Sequence, residues 1–465
     1  VDEPGPLKVC VRDASLLAFA GYLLFVAALF PACTSSEPKF ILPATPAIFS
    51  ETVKSVAQTR GLQPKQEIKL AAGASAARPR PVAPIEVYNG APLLEVERAY
   101  KIIGLLPNAT DFSKALAEYR LLERFIDYDR TTSSVSWTAS AAQVGAPLAI
   151  VSAQKHREFA PVFAIVQALQ EQHFRWRETI DKVPLEDRRL AFRALATGDA
   201  ALTLLAAGVK AEDAKLLPAQ LNIAAQVAGE IDKLAASLPD FLRRQLTFPY
   251  RHGNQFVYWA FRLKGWQGVN GLYTSPPLST AEILHPEKYF VEREAPLRFF
   301  PVQLLRRFKE SPVVEQSLGE DVIVGLLARD RSVSTDIAAR WRGDQLFAFA
   351  ESGNPTIIWF SSWRTEDQAQ EFLRAYRRVL EARHRIRFDS PDRQRNGPLI
   401  ARSRNQRGWL LQSKESVVLL ASTSPATRLT ELAADAWKDL EIDNETIELR
   451  FESARISAQL SARSR

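Results

Sequence analysis

At 465 residues the chain exceeds what one hydrophobic core accommodates, since cores stop growing near roughly 250 to 300 residues, and more than one compact unit is expected. Its 46% hydrophobic and 24% charged residues describe a soluble globular protein, and a net charge of +7 is too small at this length to single out a partner by bulk attraction. Met is absent, position 1 included, and the composition offers no physical reason for it.

The first element in chain order reads as an export signal over residues 1–32. Leu16 to Phe30 is a 15-residue apolar run preceded by Lys8 and Arg12, shorter than the about 20 residues of a membrane span and suited to a secretory signal peptide. Pro31-Ala32-Cys33 closes the run and resembles a bacterial lipoprotein signal, which implies lipidation of Cys33 after cleavage. Phe30 and Pro31 stand where such signals have an aliphatic and a small residue, so ordinary secretion and an uncleaved anchor stay open. Cleavage before Cys33 removes Cys10 and leaves no pair for an intrachain disulfide. The expectation is a membrane-anchored protein of the bacterial cell envelope, facing the periplasm or exterior.

Residues 33–88 read as a flexible tether rich in Pro and Ala, because Ala71 to Pro84 is too poor in large apolar groups to bury a core. Local structure at Ile48 to Val56 is the alternative. From 89 to 300 the pattern is helical. Leu93 to Leu105 and Phe112 to Ile126 carry apolar residues at three- and four-residue intervals, with Asp111 as N-cap of the second. Ser133 to Ala139 and Pro147 to Ser152 read as short strands, and Phe159 to Arg175 as a helix. Further helices are expected over Leu185 to Ala207, interrupted at Gly198, then over Pro218 to Ser237, Phe241 to Leu263 and Ser279 to Leu284.

The period changes in residues 301–465. Leu346 to Glu351 and Thr356 to Ser361 flank Ser352-Gly353-Asn354-Pro355 and predict a hairpin. Thr365 with Gln368 forms a capping box opening a helix to about Arg383. Gly408 to Gln412 and Ser416 to Ala421 predict a second strand pair, and Pro425 to Leu440 a closing helix. The fold class is therefore α+β: a mainly helical domain followed by a smaller α+β module.

The segment Phe163 to Phe174 (FAIVQALQEQHF) can be read as an ordinary amphipathic helix. Together with Ala194 to Ala200 (ALATGDA), it resembles a large family of bacterial zinc-peptidase-like proteins of the gluzincin type. In that family the first helix reads HELTHALQDQHF and the second ALVEGDA. Two His and a Glu would there bind zinc, and a further Glu would act as general base. In this chain those positions hold Phe163, Ala164, Gln167 and Thr197, while Ala168, Leu169, Gln170, Gln172, His173, Phe174, Gly198 and Asp199 match the family's frame. Further blocks are similar in order: Tyr100 to Pro107, Ile126 to Thr132, Leu238 to Tyr250, Pro276 to Tyr289, Ser317 to Glu320, Trp341 to Phe347 and Trp359 to Phe372. The resemblance thus covers roughly residues 90 to 440, and implies a gluzincin-like helical domain without zinc, cofactor or catalytic residues.

Other candidates are weaker. His173 and His285 read as structural histidines that fix their surroundings by hydrogen bonding. His156 and Glu158 could rebuild a metal site only if other ligands joined them. Arg374 to Arg407 holds eleven arginines against Glu381, Asp389 and Asp392, a local balance of +8. It is a possible surface for anionic lipid or an acidic partner, or else a solvated helix and loop. No nucleic-acid motif, phosphate loop or Ser/His/Asp arrangement is evident, and Gly319 has no glycine-rich neighbourhood.

The expected function is that of an inactive zinc-peptidase homologue, a pseudoenzyme acting in binding, scaffolding or regulation at the cell envelope, with a protein or peptide in the vestigial cleft. Two alternatives stay open: an active hydrolase with a rebuilt or different site, and a structural subunit of a membrane complex.

Overall fold

The computed structural model describes residues 46–71, 85–144, 159–183, 185–208, 217–308, 310–328, 331–351, 354–389 and 397–443. The expected signal run, Cys33, His156, Glu158 and the strand expected at Pro147 to Ser152 lie outside them. Where a tether was expected, Pro46–Arg60 is a helix (α1). Phe49, Val53, Val56 and Ala57 are buried at helical spacing, and Pro46 stands at the first helical position, where its missing N–H costs nothing. The prolines around it obscured that stripe.

After α1 the chain forms β1 (Lys69–Leu70) and a two-stranded hairpin of β2 (Val87–Tyr88) and β3 (Ala91–Pro92). The hairpin turns on Asn89-Gly90, both at positive φ, the pair that tight hairpin turns favour. Helix α2 (Leu93–Ile102) follows, then α3 (Phe112–Glu123), capped by Asp111, whose side chain accepts from Lys114 N at 3.0 Å. Strands β4 (Ile126–Asp129) and β5 (Ser134–Trp137) pair antiparallel, and β1 joins β5 in parallel. The resulting sheet has the order β1-β5-β4, so β4 is an edge.

Helices α4 (Phe159–Phe174), α5 (Glu186–Gly208), α6 (Leu217–Leu234) and α7 (Asp240–Thr274) build the helical half. The interruption expected at Gly198 does not occur; α5 runs through it. Gly198 instead permits contact with α7, since a Cβ there would stand 2.1 Å from the Gly253 carbonyl oxygen. One added at Gly253 would lie 2.1 Å from the Ala194 oxygen. A core containing Leu190, Leu195, Phe192, Phe248, Phe256 and Val257 fills this crossing. α7 continues past the expected Leu263, with non-helical backbone at Lys264 and Gly265.

Beyond it come β6 (Arg298–Pro301), β7 (Val314–Gln316), α8 (Gly319–Leu326), β8 (Trp341–Phe349), β9 (Thr356–Trp363) and α9 (Glu366–His384). The chain then adds β10 (Leu399–Arg402), β11 (Gly408–Lys414), β12 (Val417–Thr423), α10 (Leu429–Trp437) and β13 (Leu440–Asp443), which pairs with β6. Both expected hairpins form inside a six-stranded antiparallel sheet ordered β10-β11-β12-β9-β8-β7. All eight residues of β9 are buried because each face is covered. Ile358 and Phe360 join the core with α10, while Trp359 meets Tyr376 of α9 edge to face at 5.2 Å. Thr365 caps α9 by accepting from Gln368 N, as the capping-box spacing predicts.

From Thr45 onward these elements cluster as one compact unit of mixed helix and sheet, the α+β class expected from the sequence. The turn after α2 is one joint between its parts: Tyr376 donates to Ile103 O at 2.8 Å, Arg383 to Gly104 O at 3.2 Å, and Trp409 Nε1 to Ile102 O at 3.1 Å. Asp344 is another, its buried carboxylate accepting from Leu318 N, Gly319 N and the indoles of Trp341 and Trp359. Among the described residues no helix is long and apolar enough to cross a membrane.

Candidate functional site

Helix α4 is buried on every side from Phe159 to Glu171 except at Gln167, and it ends at Arg175, whose φ of 49° lies in the left-handed region. On α5, Thr197 is the one half-exposed residue between Ala194 and Leu202. Gln167 and Thr197 open onto the same cleft, of about 1160 Å³, whose other wall carries Ile126 to Thr132 from β4 and the turn after it. The structure thus brings these two of the four sequence-predicted positions together at the cleft. Phe163 and Ala164 lie behind them. Phe163 is 2% exposed, 4.2 Å from the Phe159 ring and stacked at 6.2 Å on Tyr250, which itself lines the cleft. Ala164 is fully buried.

These residues do not fit a zinc ion. Phe163 and Ala164 supply no donor atom, and the Gln167 amide oxygen accepts from Arg177 Nη2 at 3.0 Å. The same guanidinium donates through Nη1 to Tyr128 O at 2.9 Å and Asp127 Oδ1 at 3.1 Å. A fixed guanidinium, paired with Asp127, therefore bridges Gln167 on α4 and the β4 edge and occupies the Gln167 amide oxygen that a metal would need. Among the described residues no group of three or more His, Cys, Asp or Glu is placed to hold a metal.

The frame residues are structural. Asp199, fully buried, accepts from Arg60 Nε at 2.6 Å, from Gln170 Nε2 at 3.1 Å and from the Tyr273 hydroxyl at 2.8 Å. Arg60 also lies over the Trp266 ring at 4.7 Å. Gln172 accepts from Lys65 N at 2.8 Å and Gln66 N at 3.2 Å, and donates to Gln66 O. His173 Nε2 lies 2.7 Å from Gln63 O, where it donates to the carbonyl, and Phe174 stacks on Tyr273 at 4.2 Å. These residues hold α1 and the segment after it against α4, α5 and α7. His285 is also engaged structurally, with Nε2 2.7 Å from Glu320 Oε1.

Deeper in the cleft, Glu123 accepts from Arg120 Nη1 at 2.7 Å and pairs with Arg193 at 3.0 Å; Arg193 also donates to the Tyr119 hydroxyl. Burial pushes the Glu123 carboxyl up, but Arg193 and Arg120 outweigh it and hold its pKa at about 2. Burial raises the Tyr250 phenol, so that ring presents a neutral surface. Sequence reading missed Arg177, Arg120, Glu123 and Arg193. They come from α3, α5 and the short helix after α4; Arg120 and Glu123 stand at i and i+3 on α3, but no spacing along the chain announces that Arg193 and Arg177 join the same cleft. Glu171 accepts from Arg177 N at 3.1 Å and thereby sets the turn that carries Arg177.

The Arg374 to Arg407 stretch divides. Arg377 is bound to Glu381 and Phe388 O, Arg383 to Gly104 O, and Arg407 to Pro355 O and Ser422. Arg385, Arg387, Arg402 and Arg404 are exposed around a second hollow of about 890 Å³.

Residues 306–432 match a family model described as a domain of unknown function (DUF8575). That span contains the whole six-stranded sheet and leaves the cleft outside it. No curated protein and no solved structure matches the chain.

Proposed function

We propose that the protein is a catalytically inactive zinc-peptidase homologue whose cleft binds an extended peptide, acting in recognition, scaffolding or regulation at the cell envelope, to which a lipid on Cys33 anchors it. The observation that carries this reading is the joint opening of Gln167 and Thr197 onto one large cleft, with a hydrogen-bonded frame around Asp199 behind it. The motif resemblance expects both positions at a peptidase centre. A chain that had lost the site's purpose along with its ligands would have no need to keep the space open. β4 is an edge strand beside the cleft, its Tyr128 carbonyl taken by Arg177, and an extended peptide adds to such an edge by backbone hydrogen bonding at the groups left open.

The test is elemental analysis of zinc in the purified chain, combined with peptide binding followed by fluorescence anisotropy. The expected result is zinc near zero per chain with saturable binding of an extended peptide. About one tightly held zinc per chain, or no binding at millimolar peptide, overturns the reading. Labelling with a radioactive fatty acid, lost in Cys33→Ser, tests the anchor separately.

A further inference from the structure

We infer that the cleft selects acidic peptides, and that a ligand carboxylate is received by Arg177. This rests on the peptide-binding reading above and adds the chemical class of the ligand.

The first ground is the charge of the walls. Six arginines and Lys69 line the cleft against Glu123, Asp127, Asp129 and Asp181. Arg130 is neutralised from behind by Glu171 at 3.0 Å, and Lys69 lies 3.9 Å from Glu67, which is outside the cleft lining; five cations are left facing four carboxylates. Glu123 is shared between Arg120 and Arg193, so one carboxylate serves two cations there. A recess with a surplus of one sign and low-dielectric walls concentrates ligands of the other sign.

The second ground is the position of Arg177. Its guanidinium has five N–H donors. Three are committed, to Asp127, Tyr128 O and Gln167, which fixes the plane of the group. Two remain without a protein acceptor among the described residues, and the side chain is 25% exposed. A guanidinium with its orientation set and donors to spare is preorganised for a carboxylate, and loses less freedom on binding than a free arginine. It is also bonded to the edge of β4, so a peptide laid along that edge brings its side chains past it. In place of a metal cation at the centre, this chain has a guanidinium held by one vestigial position.

The test compares three end-blocked octapeptides of alternating sequence in which the charged positions are all Glu, all Gln or all Lys, titrated into the full chain. The Glu peptide should bind at least about tenfold more tightly than the Gln peptide, and the Lys peptide most weakly, with the difference shrinking as salt rises. Arg177→Gln should bring the Glu and Gln peptides to within about twofold of each other. If that variant fails to fold, Arg124→Glu, at an exposed cleft position, should narrow the same gap. Double substitution Arg402→Gln, Arg404→Gln should leave the preference intact. Equal binding of all three peptides overturns the inference and leaves the peptide-binding reading standing; no binding of any of them overturns both. An acid preference that survives in Arg177→Gln and vanishes in the Arg402, Arg404 variant places it at the second hollow and overturns the assignment to Arg177.

Discussion

The frame around the cleft-facing positions of α4 and α5 and the centre formed by those positions share two helices and little else. In the frame, Asp199, Gln170, Gln172, His173 and Arg60 each bond to a partner far away in sequence, and the Arg60–Asp199 pair is wholly shielded from solvent. At the centre, Phe163 and Ala164 are packed in the core, whereas Gln167 and Thr197 face open space. The difference separates two demands that a metallopeptidase motif meets together. One is the joining of helices and the capture of the N-terminal segment; the other is chemistry. The contacts of His173, Phe174 and Asp199 answer the first.

The strongest way to break this contrast is to cut the frame at its most buried bond. Asp199→Ala leaves Arg60 charged, buried and without its carboxylate, a situation that costs about 3–5 kcal/mol. Urea unfolding should show that loss as a lower midpoint. A cost below about 1 kcal/mol would mean that Asp199 is dispensable to the fold and that its persistence needs another explanation.

Acid acts on two buried histidines outside both regions and leaves the charge at Glu123 unchanged. Burial lowers His252 and His384 to about 4, and Arg383 and Arg407 press His384 further down against the opposing effect of the Ile102 carbonyl. Both histidines are neutral in the folded chain at pH values where the unfolded chain, with an imidazole pKa of about 6.5, already takes up protons. The two histidines therefore contribute stability that is fully present above about pH 6.5 and falls as the pH drops toward 4, by at most about 3 kcal/mol per histidine, while the carboxyls of Glu186, Asp187, Glu282 and Asp344, raised by burial, act in the opposite sense. Glu123, held at about 2, stays ionised throughout, so the charge of the cleft floor is constant over this window. Unfolding midpoints measured from pH 7.5 to 4 should fall less in His384→Gln than in the wild-type chain. The same pH dependence in both would show that His384 is not buried as described.

The helix crossing is the next most sensitive point. Gly198→Ala drives a methyl group to 2.1 Å from the Gly253 oxygen, and α5 and α7 must part to admit it. Overpacking of this kind costs about 1–3 kcal/mol, readable as a lower melting temperature, although alanine is the better helix former. A stabilised variant would refute the close approach.

That glycine also shows how far the sequence could be read. Taken as a helix interruption, it suggested a break, because local propensity is all a single segment reveals; its reason lies on another helix 55 residues further on. Periodicity found the long helices, the Asp111 and Thr365 caps and both hairpins, since each depends on neighbours within a few positions. It left α1 only as an alternative, local structure at Ile48 to Val56, because proline content outweighed the stripe Phe49, Val53, Val56 and Ala57. Of the site, Gln167 and Thr197 were legible by motif. Arg177 was not, since its place depends on a turn set by Glu171 and on an edge strand that precedes α4.

The smallest expected effects lie at the centre itself, and there the contrast becomes sharpest. Gln167→Ala removes one partly exposed hydrogen bond to Arg177 and should cost about 1 kcal/mol, leaving Arg177 fixed to Tyr128 O and Asp127. Thr197→Ala, on a half-exposed helix position facing the cleft, should change stability by no more than about 0.5 kcal/mol. Both variants should keep the wild-type fold by circular dichroism while altering peptide affinity, because what they touch is the ligand's space. If either destabilises the chain as much as Asp199→Ala does, the centre belongs to the frame. The cleft would then be a gap left by packing, and the separation of joining from recognition would fail at the two residues on which it depends.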